Sequence, residues 1–350
     1  MAMTLAEKIL ARASGRETVA PDEIVVAVVD LAMSHENADL VRNGAFATGI
    51  GATEMAGVWT EGRLWFKIPS TIRIEVAGEL RPWVSAKDLI LFIVGRLGAD
   101  GADYRAVEFD GPVIRRMTVA SRMVLANLAM EMGAKVAFTP VDETLCAYLA
   151  ERAGERLVPG DRYAPDPGAG YERMLEIDAG AALDEPQVAC PHAVDNVKPL
   201  SALGEVPVDQ AVVGSCTNGR LEDLAVAARV LEGRRVHPRT RLLVIPASQQ
   251  IYREAMRLGY LETFIAAGAM VNPPGCGPCV GGHQGILAAG EACISTTNRN
   301  FIGRMGSKDS QVYLASPAVV AASAVAGRIV HPETICEETA HERELSPAAR

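Results

Sequence analysis

Aromatic residues are scarce in this 350-residue chain, at 5%, and no basic run is longer than the pair Arg234-Arg235. The 34 Lys and Arg are outnumbered by 43 Asp and Glu, for a net charge of −9. A surface that tracks a nucleic-acid backbone needs clustered positive charge, so nucleic-acid binding is excluded as an expectation. One local arginine pocket would still suffice for a small anion. No apolar stretch approaches the roughly 20 residues of a membrane span. The opening Met1-Ala2-Met3-Thr4-Leu5-Ala6-Glu7-Lys8 lacks the charged-then-apolar layout of a secretion signal, which makes the cytoplasm the expected location. Seven cysteines, an odd number in a long chain, are a poor disulfide framework. No repeat at a fixed period and no low-complexity tract occurs.

What is present is small-residue, α/β-type sequence. Hydrophobic residues make up 49% and glycine is abundant, at 32 residues, which suits helices lying close on sheets. Residues 3–13 have an amphipathic helical pattern with Thr4 as N-cap. Asp22–Leu31 reads as a buried strand. Leu64–Ile68 and Thr71–Val76 read as a strand pair around Pro69, and Ser85 caps a helix that runs to Leu97. Ala106–Phe109 and Lys135–Phe138 read as strands, with a helix over Ser121–Met132 between them. A loop-rich stretch at 153–185, with Pro159, Pro165 and Pro167, marks a domain boundary. Beyond it, Gln210–Gly214 and Arg241–Ile245 alternate with helices over Leu221–Leu231 and Gln249–Ala267, and Ser316-Pro317 opens a further helix. That alternation predicts a doubly wound parallel sheet.

Three segments stand out chemically. Cys216, in Gly214-Ser215-Cys216-Thr217-Asn218-Gly219-Arg220, follows a buried strand, where α/β sheets place their sites. Gly275-Cys276-Gly277-Pro278-Cys279 is a C-x-x-C in a Gly/Pro loop, which lets both thiolates face one metal centre. Thr297-Asn298-Arg299-Asn300-Phe301-Ile302-Gly303-Arg304 sets two guanidinium groups five residues apart, and arginine grips carboxylates with two prongs. A single cysteine after a strand is more often packing than ligand. The C-x-x-C also suits zinc, with His192, His283 or Cys293 as further ligands, or redox chemistry. Three thiolates without an evident fourth suit a cubane with one open iron, a Lewis acid for a substrate oxygen.

Together these segments resemble the aconitase superfamily, nearest the branch of 3-isopropylmalate dehydratase and homoaconitase large subunits. Thr4–Leu10, Gly49-Ile50-Gly51, Arg105–Phe109 and Pro191–Val197 extend the resemblance over most of the chain. It implies an α/β fold of the aconitase iron-sulfur-domain type, built from several α/β domains with parallel-rich sheets. The expected segments are a truncated first domain at 1–53, a second at 54–180, and a third at 181–350 carrying the cluster cysteines. It further implies a [4Fe–4S] cluster on Cys216, Cys276 and Cys279, supported by Asn298. Arg299 and Arg304 would bind the carboxylates of a hydroxy dicarboxylate, Glu108 would lie near the labile iron, and His35 on the substrate side. The implied activity is that of a hydro-lyase of leucine biosynthesis, or its homoaconitase-like counterpart, which removes water and adds it back at the neighbouring carbon.

The chain departs from the family's pattern at one place. Only Asn37–Asn43 joins the segments like Met33–Glu36 and Gly44–Gly49, where the family carries a long stretch with Asp-His, Gly-x-x-His-Gln and Asp-Ser-His-Thr motifs. A cluster-bearing scaffold or sensor without turnover is therefore the alternative expectation. The branch keeps its swivelling domain, with the serine base, on a separate small subunit, which is the expected partner.

Overall fold

The computed structural model of the chain describes residues 2–29, 58, 60–154, 159–160 and 163–336. His35 and Gly49-Ile50-Gly51 lie outside the described residues. Two compact units emerge: 1–76 with 102–115 and 133–176, and 77–101 with 116–132 and 177–350.

The first unit opens with helix Leu5–Ala13. Its capping box is complete: Thr4 accepts from the Glu7 amide, and the Glu7 carboxylate accepts from the Thr4 amide. Strands β1 (Ile24–Val28) and β2 (Arg63–Lys67) form an antiparallel ribbon in which Val26 faces Trp65. The strand expected to be buried at 22–31 is only half so. Val25 and Ala27 are covered, while Ile24, Val26 and Val28 are exposed, because a two-stranded ribbon has cover on one face. Strands β3 (Thr71–Ala77), β4 (Ala106–Asp110), β5 (Val136–Phe138) and β6 (Arg173–Asp178) make a second sheet in the order β5-β4-β3-β6, with β3, β4 and β5 parallel. The strands around Pro69 therefore exist but do not pair with each other: β2 belongs to the ribbon and β3 to the sheet. β6 lies inside the stretch read as loop; its residues are largely exposed on one side and give a weak hydrophobic signal.

The second unit is built on a seven-stranded sheet of β7 (Gln187–Ala189), β8 (Val197–Pro199), β9 (Gln210–Gly214), β10 (Arg241–Ile245), β11 (Met270–Val271), β12 (Ala292–Ser295) and β13 (Gln311–Leu314). The order is β11-β10-β9-β12-β13-β7-β8. The first five strands are mutually parallel, and β7 and β8 extend the edge in antiparallel fashion. β9 and β12 are buried along their whole length, as expected of parallel strands covered on both faces. Helices Leu221–Leu231 and Pro317–Ala326 join the strand residues Val213, Val244 and Ile294 in one core. The helix expected over 249–267 is two helices, Gln249–Arg257 and Tyr260–Ala267, parted at Gly259, whose φ of 79° is left-handed and cannot continue an α-helix. Among the described residues no helix is long and apolar enough to cross a membrane.

Phe264 is fully buried in this core. Phe264→Ala is expected to lower the unfolding free energy of the second unit by about 3–5 kcal/mol, read from denaturant unfolding curves.

Candidate functional site

The parallel order β11-β10-β9-β12 brings four carboxyl-terminal strand ends to one edge. Each notable segment of the sequence leaves that edge. The Cys216 turn follows β9, the Cys276–Cys279 loop follows β11, and the Asn298–Arg304 loop follows β12.

Ile245, the last residue of β10, fixes how closely these loops approach. A Cβ on Gly214 would lie 2.0 Å from the Ile245 carbonyl oxygen, and one on Gly277 would lie 2.1 Å from Ile245 Cδ1. The residue two before Cys216 and the residue just after Cys276 are thus both folded against one isoleucine. Gly214 has φ 137° and Ser215 φ 63°, a reversal that turns the chain from β9 into the short helix Ser215–Asn218. The second loop forms a tight 3-10 turn, Gly277–Val280, in which the Cys279 amide donates to the Cys276 carbonyl at 3.2 Å. The third loop joins it, since a Cβ on Gly281 would lie 2.9 Å from the Arg304 carbonyl oxygen.

Cys216 is exposed, and Cys276 and Cys279 are half-buried. Cys216 Sγ lies 3.7 Å from Thr217 Oγ1. Asn298 Nδ2 donates to Thr217 Oγ1 at 2.9 Å and also to Asn127 Oδ1, so Asn298 is tied to the Cys216 turn. Cys293 cannot serve as a further ligand in the way the sequence allowed: it is enclosed within β12, and burial pushes its thiol up to about 12. Among the described residues, no group of three His, Cys, Asp or Glu is spaced for a single metal ion.

The arginines differ in their support. Arg299 Nε donates to Glu131 Oε1 at 2.8 Å, and Glu131 is buried. Arg304 Nε is buried without a hydrogen-bond partner, as is Asn298 Oδ1. Such atoms lose their hydration without compensation, so a ligand that pairs with them is favoured. Asn300 donates to the carbonyls of Cys190 and Ala193 at 2.7 and 3.2 Å, which anchors the Pro191-His192 segment to the same loop. Asp223 accepts from Asn218 Nδ2 and from the Arg220 amide, at 3.0 and 2.9 Å, and closes the Cys216 turn onto the next helix; burial pushes its carboxyl up to about 7.

Three residues of this unit escaped the sequence reading. Asn127 and Glu131 are polar residues four apart in the segment read only as helix, a spacing that places both on one helical face and was the available signal. Lys87 is fully buried, and its ammonium donates to the carbonyls of Thr296 and Thr297 at 2.9 and 2.7 Å. Loss of hydration lowers its pKa to about 8, against the opposing pull of Asp223, Cys279, Glu131 and Asp88.

Glu108 belongs to the first unit. It is buried, accepts from the Leu5 amide at 2.7 Å and from the Tyr171 hydroxyl at 3.0 Å, and has Arg73 Nη1 at 3.9 Å. Burial raises its pKa above the usual carboxylate range. With Arg73, Asp110, Arg115 and Tyr163 it lines a cavity of about 90 Å³.

Residues 41–327 match the model of the aconitase family (aconitate hydratase). The chain is 53% identical over 292 residues to the 3-isopropylmalate dehydratase large subunit of Syntrophus aciditrophicus, covering 83% of this chain and 68% of that protein. It is 53% identical over 289 residues to large subunit 1 of the same enzyme from Methanopyrus kandleri, with the same coverage of each chain. With the large subunit from Hydrogenobaculum sp. it shares 47% over 323 residues, 92% of this chain and 75% of that one. Among solved structures, the holo-form of aconitase X from Thermococcus kodakaraensis overlaps with a TM-score of 0.40 at 13% identity, over 71% of this chain and 56% of that chain, too loosely to argue from.

Gly214→Ala is expected to strain the Cys216 turn through both the Ile245 contact and the positive φ. The expected loss is about 3 kcal/mol of stability, measured by denaturant unfolding, with faster alkylation of Cys216 by iodoacetamide.

Proposed function

Because the chain belongs to the aconitase family, we propose that it works as the large subunit of a hydro-lyase of the 3-isopropylmalate dehydratase type. It would isomerise a hydroxy dicarboxylate by dehydration and rehydration. The observation that carries this reading is the meeting, at one sheet edge, of two cysteine-bearing loops folded against Ile245 and an arginine-bearing loop packed against Gly281.

The donor set fits a [4Fe–4S] cluster. Cys216, Cys276 and Cys279 sit on loops whose close approach depends on glycine at 214 and 277, and the other cysteine considered as a ligand, Cys293, is held protonated inside a strand. When bound, such a cluster supplies an open iron as Lewis acid for the substrate's hydroxyl. The chain's own residues would then bind and orient. Arg299 is steadied at Nε by Glu131, which directs its terminal nitrogens to a carboxylate. Arg304, whose buried Nε lacks an acceptor, takes a second carboxylate. Asn298 braces the Cys216 turn through Thr217. Glu131, a buried carboxylate paired with Arg299, is placed to hold a water beside it. The roles proposed for Glu108 and His35 rest on the resemblance alone, as does the division at 1–53, 54–180 and 181–350.

The relatives are named large subunits, so a small subunit comes with this reading; we assign to it the swivelling domain and the base that takes the substrate's proton. A cytoplasmic location belongs to the same proposal.

The test is anaerobic reconstitution of the full chain with iron and sulfide, followed by mixing with a small subunit and an absorbance assay for the alkene diacid. About four irons per chain are expected, reduced sharply by serine at 216, 276 or 279. Arg304→Lys is expected to lower kcat/KM by about 100-fold with the cluster retained. A cluster with no turnover on isopropylmalate, homocitrate or citraconate-type substrates would favour a scaffold or sensor. Zinc without sulfide would overturn the cluster assignment.

A further inference from the structure

Lys87 occupies an unfavourable place for a cation. It lies in the first turn of helix Ala86–Leu97, at the positive end of the helix dipole, and has no exposed surface. A methionine of similar volume would avoid both costs. The structure compensates for them in one direction only: the ammonium donates to two consecutive carbonyls, Thr296 and Thr297, more than 200 residues away in sequence. The helix start that presents it is itself fixed by a capping box. Ser85 Oγ accepts from the Lys87 amide at 3.2 Å, and Asp88 accepts from the Ser85 amide and hydroxyl and, across to β7, from the Gln187 amide.

The two threonines are the junction of the site. Thr296 Oγ1 accepts from the Gly214 amide at 2.9 Å, which reaches the turn that carries Cys216. The Thr297 amide and hydroxyl are both bonded to Ser295 Oγ, at 3.1 and 2.9 Å. Asn298 and Arg299 follow at once. The ammonium thus grips a stretch of backbone that touches the Cys216 turn and leads directly into the Asn298–Arg299 turn. The acidic groups whose field reaches it are Asp88 on its own helix, Asp223 and Glu131, together with the Cys279 thiol.

We infer that Lys87 is a positioning residue, whose buried ammonium locks the Thr296–Thr297 backbone so that the Asn298–Arg299 turn and the Cys216 turn keep one arrangement. It touches no reacting atom and acts through the loop it holds. Its consequence for the cluster rests on the function proposed above; its consequence for the loop does not.

The test compares the wild-type full chain with Lys87→Met and, as a milder change that keeps a donor, Lys87→Gln. Hydrogen–deuterium exchange of the chain without added iron is read by mass spectrometry. In Lys87→Met, exchange at residues 296–300 is expected to quicken about tenfold while β9 and β10 stay protected, with Lys87→Gln between the two. Unchanged exchange at 296–300, or a uniform rise across the second unit, would overturn the inference; if Lys87→Met does not fold, Lys87→Gln decides by the same criterion. After reconstitution with iron and sulfide, bleaching by EDTA is followed at visible wavelengths. Lys87→Met and Asn298→Ala are each expected to bleach faster, and the double variant no faster than the quicker single one, because both act through one loop. Fully multiplicative effects would count against that shared route. Failure of the wild-type chain to take up iron and sulfide would sink the proposed cofactor, and the exchange comparison would still decide the role of Lys87.

Discussion

The contact on which the site depends is the meeting of two glycines with Ile245. Strand β10 ends in a side chain that fills the space below the Cys276–Cys279 loop, and its carbonyl closes the space beside the Cys216 turn. At Gly214 the obstacle is backbone, which cannot move aside without disturbing the strand, whereas at Gly277 it is the tip of the Ile245 side chain, so an added Cβ there would have to displace that methyl group. The two cysteine loops are therefore set by one residue of the sheet, and the sheet's own register sets that residue: Ile245 pairs with Gly214 in the parallel ladder.

Around this contact the unit concentrates buried polarity. Lys87, Asp88, Glu131, Asn218 and Asp223 are all buried, beside a hydrophobic core that is mainly aliphatic and alanine-rich. Such groups rarely add to stability when compared with apolar residues of the same size. Here they connect one loop to another: Glu131 to Arg299, Asp223 to the Cys216 turn, Lys87 to the threonines before Asn298. A strand edge offers loops that are otherwise held only at their ends. Buried, charge-assisted bonds give such loops a single conformation, at a cost that the surrounding hydrophobic core offsets.

Much of this was legible in the sequence, for physical reasons that can be named. The helix start at Thr4 was visible because its capping box is local, and the runs at 210–214 and 241–245 because strands covered on both faces need unbroken apolar residues. The weaker elements were not. β6 alternates with exposed positions, β12 and β13 are four residues each, and the break at Gly259 sits inside a continuous helical pattern. The ribbon partner of β1 was also hidden, since nothing local says that Leu64–Phe66 pairs backward to β1 and not forward to β3.

The sequence alone determined the family resemblance, the three cysteines and the two arginines, because those motifs are short and their chemistry is carried by residue type and spacing. Only the tertiary structure decided which carboxylate stands at Arg299 and which cation lies beneath Asn298. Glu131 is 168 residues from the Arg299 side chain it binds, and Lys87 is 209 and 210 residues from the two carbonyls it binds. Their burial is produced by the folding of the whole second unit, and a polar residue in a helical pattern looks the same in sequence whether it faces water or a partner.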